Sequence, residues 1–220
     1  MERWQNKVAV VTGASSGIGV AIAKDFVKAG LQVIGLARRK DLIENIRNDL
    51  PADKRSHLTA MYCDVCNIES VNQVFDKIIK EFDSFKYQCH GYCGMHPTRI
   101  QINFNGHIIN VNSIAGHAVL PGIPQLLPTT NIYSPTKHAV TAMTEIYRQE
   151  LRELRSKIKI SSISPGFVDT DIVFDGLRKA LDECMLRPED VSNAVMFMIS
   201  TPPHVQIHDM IIKHMGEIVQ

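Results

Sequence analysis

Three times in the first 82 residues a short apolar run gives way to a turn and then to a helical repeat, and that rhythm restricts the chain to few folds. Residues 7–11 form a valine-rich run, after which Ile18, Ile22 and Phe26 recur at helical spacing and Gly30 stands where a helix commonly ends on a glycine. Residues 32–37 form a second run, followed by Leu42, Ile43, Ile46 and Leu50. Residues 57–63 form a third, followed by Val71, Val74, Phe75, Ile78, Ile79 and Phe82 on one helical face, with Asn67 placed to cap that helix. Strands that each feed a helix predict a parallel sheet covered on both faces, an α/β fold. The rhythm resumes with a strand at 106–112 and a long helix at 134–155, whose Glu145, Arg148, Glu150, Arg152 and Glu153 mark the solvated side. A strand at 158–163 follows, then a helix opened by Pro188 with Glu189 and Asp190 in the first turn, where they suit its dipole.

Size and charge narrow the partners. With 220 residues and 45% apolar content the chain is expected to form one domain, 1–220, with a buried core. Its 24 basic and 23 acidic residues leave a net charge of +1 and no basic block to neutralise phosphates, which argues against nucleic acid and for a small ligand. Residues 1–7 contain no apolar leader, and no run approaches the roughly 18 apolar residues a membrane span requires, so the expected location is cytoplasmic. Five cysteines, an odd number, point to reduced thiols rather than a disulfide framework.

The chemistry is concentrated in three places. TGASSGIG, Thr12 to Gly19, lies between the first strand and its helix, and Gly13, Gly17 and Gly19 would let a pyrophosphate approach backbone N–H groups at the helix start, beside Ser15, Ser16 and Ile18. At the end of the second strand, where an acidic residue would bond a ribose 2′-hydroxyl, stand Ala37, Arg38 and Arg39; two guanidinium groups suit a 2′-phosphate and predict NADP(H) over NAD(H). Tyr133 and Lys137 stand four residues apart on one face of a helix, and Ser113 ends the strand before it. A phenol has an ordinary pKa of about 10, and an ammonium one turn away stabilises its phenolate, so the pair suits proton transfer while the serine could hold a substrate oxygen.

In this order the motifs resemble those of the classical short-chain dehydrogenase/reductase family, and the resemblance runs through most of the chain. TGASSGIG matches the family's cofactor loop, NVNSIAG its serine strand, YSPTK its active-site motif and SPGFVDT its loop over the nicotinamide. The opening MERWQNKVAVVTG, the arginine pair and the ending STPPHVQIHDMII are similar to the farnesol-dehydrogenase-like group, which also includes ketosteroid-reducing members. The resemblance implies a Rossmann-like, doubly wound parallel sheet. It implies Ser113, Tyr133 and Lys137 as catalytic residues, with Lys137 also holding the nicotinamide ribose. Asp64 and Val65 would lie on the adenine side, and Pro165, Gly166, Val168 and Thr170 at the nicotinamide end. The family is usually homo-oligomeric.

One stretch departs from the family. Where its fourth strand ends in N-N-A-G, this chain reads CHGYCG, Cys89 to Gly94, and soon reaches the serine strand. A strand of about 5 residues, a helix of about 11 and three connections of about 2 to 6 would consume all 22 residues of 84–105 or more. The fourth strand and its helix, which in the family carries a proton-relaying asparagine and much of the oligomer contact, are therefore expected to be largely missing. Cys63, Cys66, Cys89 and Cys93 with His90 and His96 have spacing that a zinc site could use, although a cofactor turn already accounts for Cys63 and Cys66. The proline-rich, apolar residues 116–132 would either wall an apolar substrate pocket or form a rigid connection. Two functions stay open: an NADP-dependent oxidoreductase acting on the carbonyl or alcohol of an isoprenoid such as farnesol, a retinoid or a steroid, or a catalytically impaired relative that at most binds nucleotide or a partner.

Overall fold

The computed structural model describes residues 1–82, 105–119, 132–181 and 184–217. They fall into two compact units, Met1–Gln101 and Ile102–Gln220.

The first unit is a three-stranded parallel sheet with a helix after each strand: β1 (Val8–Thr12), α1 (Gly17–Lys28), β2 (Gln32–Ala37), α2 (Lys40–Ile46), β3 (Leu58–Tyr62) and α3 (Ile68–Glu81). β2 lies in the middle, pairing in parallel with β1 and β3, and Val33 to Ala37 are all buried. Helix α1 ends as its sequence predicts. Gly30, at φ +90°, donates to the Val27 carbonyl and Leu31 to that of Phe26, which satisfies two terminal carbonyls. Asn67 caps α3 by accepting from the N–H groups of Glu69 and Ser70. That helix lays Val71, Val74, Phe75 and Ile78 on Ile34, Leu36, Met61 and Cys63. Each such apolar side chain, fully buried, contributes about 1.5–3 kcal/mol, so this face anchors the unit.

The second unit contains β4 (His107–Val111), α4 (Tyr133–Glu153), β5 (Lys159–Pro165), α5 (Asp175–Ala180), α6 (Pro188–Ser200) and β6 (Asp209–Ile212), with the parallel order β4-β5-β6. Strand β5 is buried along its whole length although it carries three serines. Ser161 meets the His107 ring at 2.8 Å, and Ser164 meets the His117 ring at 2.9 Å and donates to Asp209 at 3.0 Å. Buried hydroxyls are tolerated because each finds a partner. The Lys159 ammonium donates to the carbonyls of Thr201, Pro202 and Val205, tying β5 to the chain leaving α6.

These parallel sheets with covering helices are the expected α/β architecture. Three particulars differ from the sequence reading. Helix α5 and strand β6 were not anticipated, since elements of six and four residues are too short for periodicity to register. Arg148 is not a solvated residue: its side chain is only 15% exposed, and its guanidinium donates to the His208 carbonyl besides pairing with Glu145. Residues 84–104, where the fourth strand would stand, lie outside the described residues. Among the described residues β1 pairs only with β2, β4 pairs only with β5, and no strand occurs in sequence between α3 and β4.

Candidate active site

In the first unit, the turn between β1 and α1 is shaped by its glycines. Gly13 and Gly17 take φ values of +69° and +53°, which side chains rarely allow. The third glycine serves close approach instead: a Cβ on Gly19 would stand 2.3 Å from the Gly13 carbonyl oxygen. Ala14 is fully buried and its N–H reaches the Leu36 carbonyl at 3.3 Å, which binds the turn to β2. Ser16 makes no side-chain cap at the start of α1. Ser15, Ser16 and Ile18 are partly accessible around these N–H groups. The arrangement leaves a helix N-terminus fit for an anion.

Beyond the buried Ala37, Arg38 and Arg39 are exposed, and among the described residues neither enters an ion pair. The Cys63 N–H donates to the Ala37 carbonyl at 3.1 Å, joining the ends of β2 and β3. A tight turn follows, in which Asp64 accepts the Cys66 N–H at 3.0 Å, its own N–H donates to Ser70 at 3.0 Å, and Val65 is presented outward at 56% exposure. Cys63 is a core residue at 3% exposure, and burial pushes its thiol up, away from the thiolate a metal would need. Cys89, Cys93, His90 and His96 lie outside the described residues.

In the second unit, Ser113 is buried just past β4, and its hydroxyl accepts the Ala115 N–H at 3.1 Å, capping a 3-10 turn at Ile114–Gly116. Tyr133 is the first residue of α4 and 42% exposed. One turn later, the Lys137 ammonium lies 5.7 Å from the centre of the Tyr133 ring and donates to the Val111 and Asn112 carbonyls, both at 3.3 Å. The lysine thus joins the tyrosine to the strand end that carries the serine. Burial holds its pKa below the ordinary lysine value.

The supports of this arrangement were missed in the sequence. Asn110 donates to Thr144 at 2.8 Å and Asn112 to Thr141 at 2.9 Å, while the Thr141 hydroxyl donates to the Gly116 carbonyl at 2.9 Å. Their signal was present: two asparagines two apart on a strand share a face, and Lys137, Thr141 and Thr144 share a helical face.

Residues Pro165–Thr170 leave β5 under several restraints. Gly166 donates to the Ile212 carbonyl, Asp169 to that of Leu186 and Leu186 to that of Phe167, each at 2.8 Å. Val168 is buried and bridges to Leu186. Arg178 of α5 pairs with Asp169 and donates to the Thr170 carbonyl at 3.3 Å. The Phe167 ring packs on Ile114 and Ala115, beside Ser113, and on the Val173, Leu177, Leu181 and Met185 cluster.

Among known proteins, the family model described as short chain dehydrogenase matches residues 7–87 and 95–179. A farnesol dehydrogenase of Aedes aegypti is 38% identical over 249 residues, covering 99% of both chains. Dehydrogenase/reductase SDR family member 11 of Homo sapiens is 36% identical over 252 residues, covering 96% of this chain and 95% of the relative. The alignment with the mosquito protein is longer than the 220 residues of this chain, so the relative has positions without a counterpart here, and the family match breaks at 88–94 within the atypical stretch. Among solved structures, a short-chain type dehydrogenase/reductase from Mycobacterium marinum aligns with TM-score 0.75 at 22% identity over 96% of this chain and 95% of that one. An alcohol dehydrogenase from the archaeon Thermococcus sibiricus, complexed with 5-hydroxy-NADP, aligns with TM-score 0.73 at 20% identity over 97% and 98%. At such identities these likenesses speak for the fold, which is Rossmann-like.

Proposed function

This chain belongs to the short-chain dehydrogenase family, and from that premise we propose that it moves hydride between NADP(H) and the carbonyl or alcohol carbon of an apolar substrate, of the isoprenoid, retinoid or steroid kind. The cofactor, when bound, would supply the hydride in reduction of a carbonyl and accept it in oxidation of an alcohol. The glycine turn with Ser15, Ser16, Gly17, Ile18 and Gly19 takes the pyrophosphate, Arg38 and Arg39 the 2′-phosphate, and Asp64 and Val65 the adenine. Pro165, Gly166, Val168 and Thr170 take the nicotinamide end. The chain's own fit to such a ligand rests on the glycine turn, which excludes side chains where phosphates would approach, and on two arginines without ion-pair partners among the described residues. Residues 1–220 act in this reading as one nucleotide-binding domain.

Tyr133 is the acid in reduction and the base in oxidation, Lys137 favours its phenolate and holds the nicotinamide ribose, and Ser113 orients the substrate oxygen. The carrying observation is the tethering of the Lys137 ammonium between the Tyr133 ring and the carbonyls at the end of the serine strand. The name of the mosquito relative supports an isoprenoid alcohol such as farnesol among the substrates. Among the described residues no helix is long and apolar enough to cross a membrane; we assign the activity to the cytoplasm. The test is consumption of NADPH by the purified chain offered isoprenoid, retinoid and steroid carbonyls. Binding of NADPH without consumption would refute this reading in favour of the second one, a relative that has lost turnover. The relatives' additional positions and the single partners of β1 and β4 among the described residues favour that alternative.

A further inference from the structure

The Pro165–Thr170 loop is restrained by a residue that no motif contains. After β6 the chain turns back on itself: Glu217 donates its N–H to the His214 carbonyl at 3.0 Å, and Gly216 donates to the His214 ring at 3.1 Å. The turn returns the Glu217 carboxylate to the loop, where Oε2 accepts the Phe167 N–H at 3.2 Å. The carboxylate occupies the space a side chain on Gly166 would need, since a Cβ there would stand 2.0 Å from Oε2 and 2.8 Å from Oε1. The Glu217 side chain is 0% exposed, its Oε1 has no hydrogen-bond partner among the described residues, and the Lys213 ammonium is 3.8 Å away.

We propose that Glu217 is a positioning residue that sets the backbone of Gly166 and Phe167 for the nicotinamide end of the dinucleotide. This rests on the reading that the loop meets that end. Phe167 extends the effect toward Ser113, because its N–H is held by Glu217 while its ring packs on Ile114 and Ala115.

The energetics separate this role from simple packing. Burial pushes the Glu217 carboxyl up, opposed by the Phe167 N–H, Lys213 and His214. A carboxyl raised above its ordinary 4.5 loses native-state stability as pH rises from that value through the raised one, and the cost of ionisation remains at neutral pH. Glutamine would accept the same bond without that cost. Glu217→Gln should therefore retain the loop's geometry and melt no lower than the parent at neutral pH, whereas Glu217→Ala leaves the Phe167 N–H unpaired above a void.

The experiment uses the full chain with two probes: NADPH, and 2′,5′-ADP, which lacks the nicotinamide half. Glu217→Ala should weaken NADPH binding about tenfold, the effect of one hydrogen bond to a charged acceptor, and leave 2′,5′-ADP binding unchanged. Glu217→Gln should recover most of the loss, and Gly166→Ala, whose methyl expels the flexible carboxylate, should reproduce it. Without cofactor, the Phe167 amide should exchange hydrogen faster in Glu217→Ala than in the parent. Unchanged NADPH affinity in Glu217→Ala, or equal weakening of both probes, would overturn the proposal. A parent chain that binds neither probe would instead overturn the cofactor reading, and one that binds NADPH no better than 2′,5′-ADP would remove the nicotinamide assignment on which the proposal rests.

Discussion

Gly19→Ala sets helix propensity against close packing at the cofactor turn. Gly19 is the third residue of α1, and its φ is not in the left-handed region, so alanine fits its backbone conformation and should add about 1 kcal/mol in helix propensity. Space decides otherwise. The new methyl would lie 2.3 Å from the Gly13 carbonyl oxygen, 2.7 Å from its carbon and 3.1 Å from the Ala14 nitrogen. All three are backbone atoms, and Ala14 is buried and bonded to Leu36, so relief requires the turn or the helix start to shift by about 1 Å toward ordinary contact. Overpacking of this kind costs about 3 kcal/mol at the upper end of its usual range, leaving a net loss of about 2 kcal/mol and a fall in melting temperature of roughly 4–8 °C. NADPH affinity should fall by more than tenfold, because the shifted groups are those proposed to meet the pyrophosphate. Thermal unfolding and NADPH titration of the two proteins measure both effects. A variant that melts at or above the parent and binds NADPH as well would show that propensity governs and that the turn does not hold phosphate.

Replacing Arg38 and Arg39 by alanine should weaken NADPH binding by about tenfold or more and leave NADH nearly unaffected, narrowing the gap between them in a titration; equal affinity for both cofactors in the parent would already defeat the assignment. Because burial lowers the Lys137 pKa, the ammonium is lost as pH rises through a value below the ordinary 10.5, so the alkaline decline of turnover should begin below that value; a pH–rate profile flat past it would contradict the role given to Lys137. If the single partners that β1 and β4 have among the described residues reflect a missing strand, insertion of the mosquito relative's residues at 88–94 should raise solubility and sharpen melting. Equal solubility and cooperativity in the two chains would mean that this stretch supplies its own substitute.

Much of the first unit was legible because its signals are local. Periodicity located α1, α2 and α3, Asn67 declared its cap by residue type, and Gly30 its helix end. The glycine turn and the Tyr133–Lys137 pair were legible for the same reason, since four residues along a helix fix which side chains are neighbours. What escaped depends on contacts distant in sequence. Arg148 reads as a surface arginine until His208, sixty residues on, is folded against it. Strand β6 is short and exists as the neighbour of β5, and Glu217 gains its place from a turn that returns it to Gly166. The strand at 158–163 was legible, but the burial of Ser161 and Ser164 on β5 was not, because it depends on partners in His107, His117 and Asp209.

We propose Tyr133, one helical turn before Lys137, as the group that transfers the proton accompanying hydride transfer. Its most direct measurement is turnover by Tyr133→Phe beside the parent, with NADPH binding followed in the same samples. Removing one hydroxyl should lower kcat by at least a hundredfold, the lower range of general acid catalysis, and leave the NADPH dissociation constant within about twofold. A phenylalanine variant that kept most of the parent's rate would show that Tyr133 is not the acid and would contradict the account.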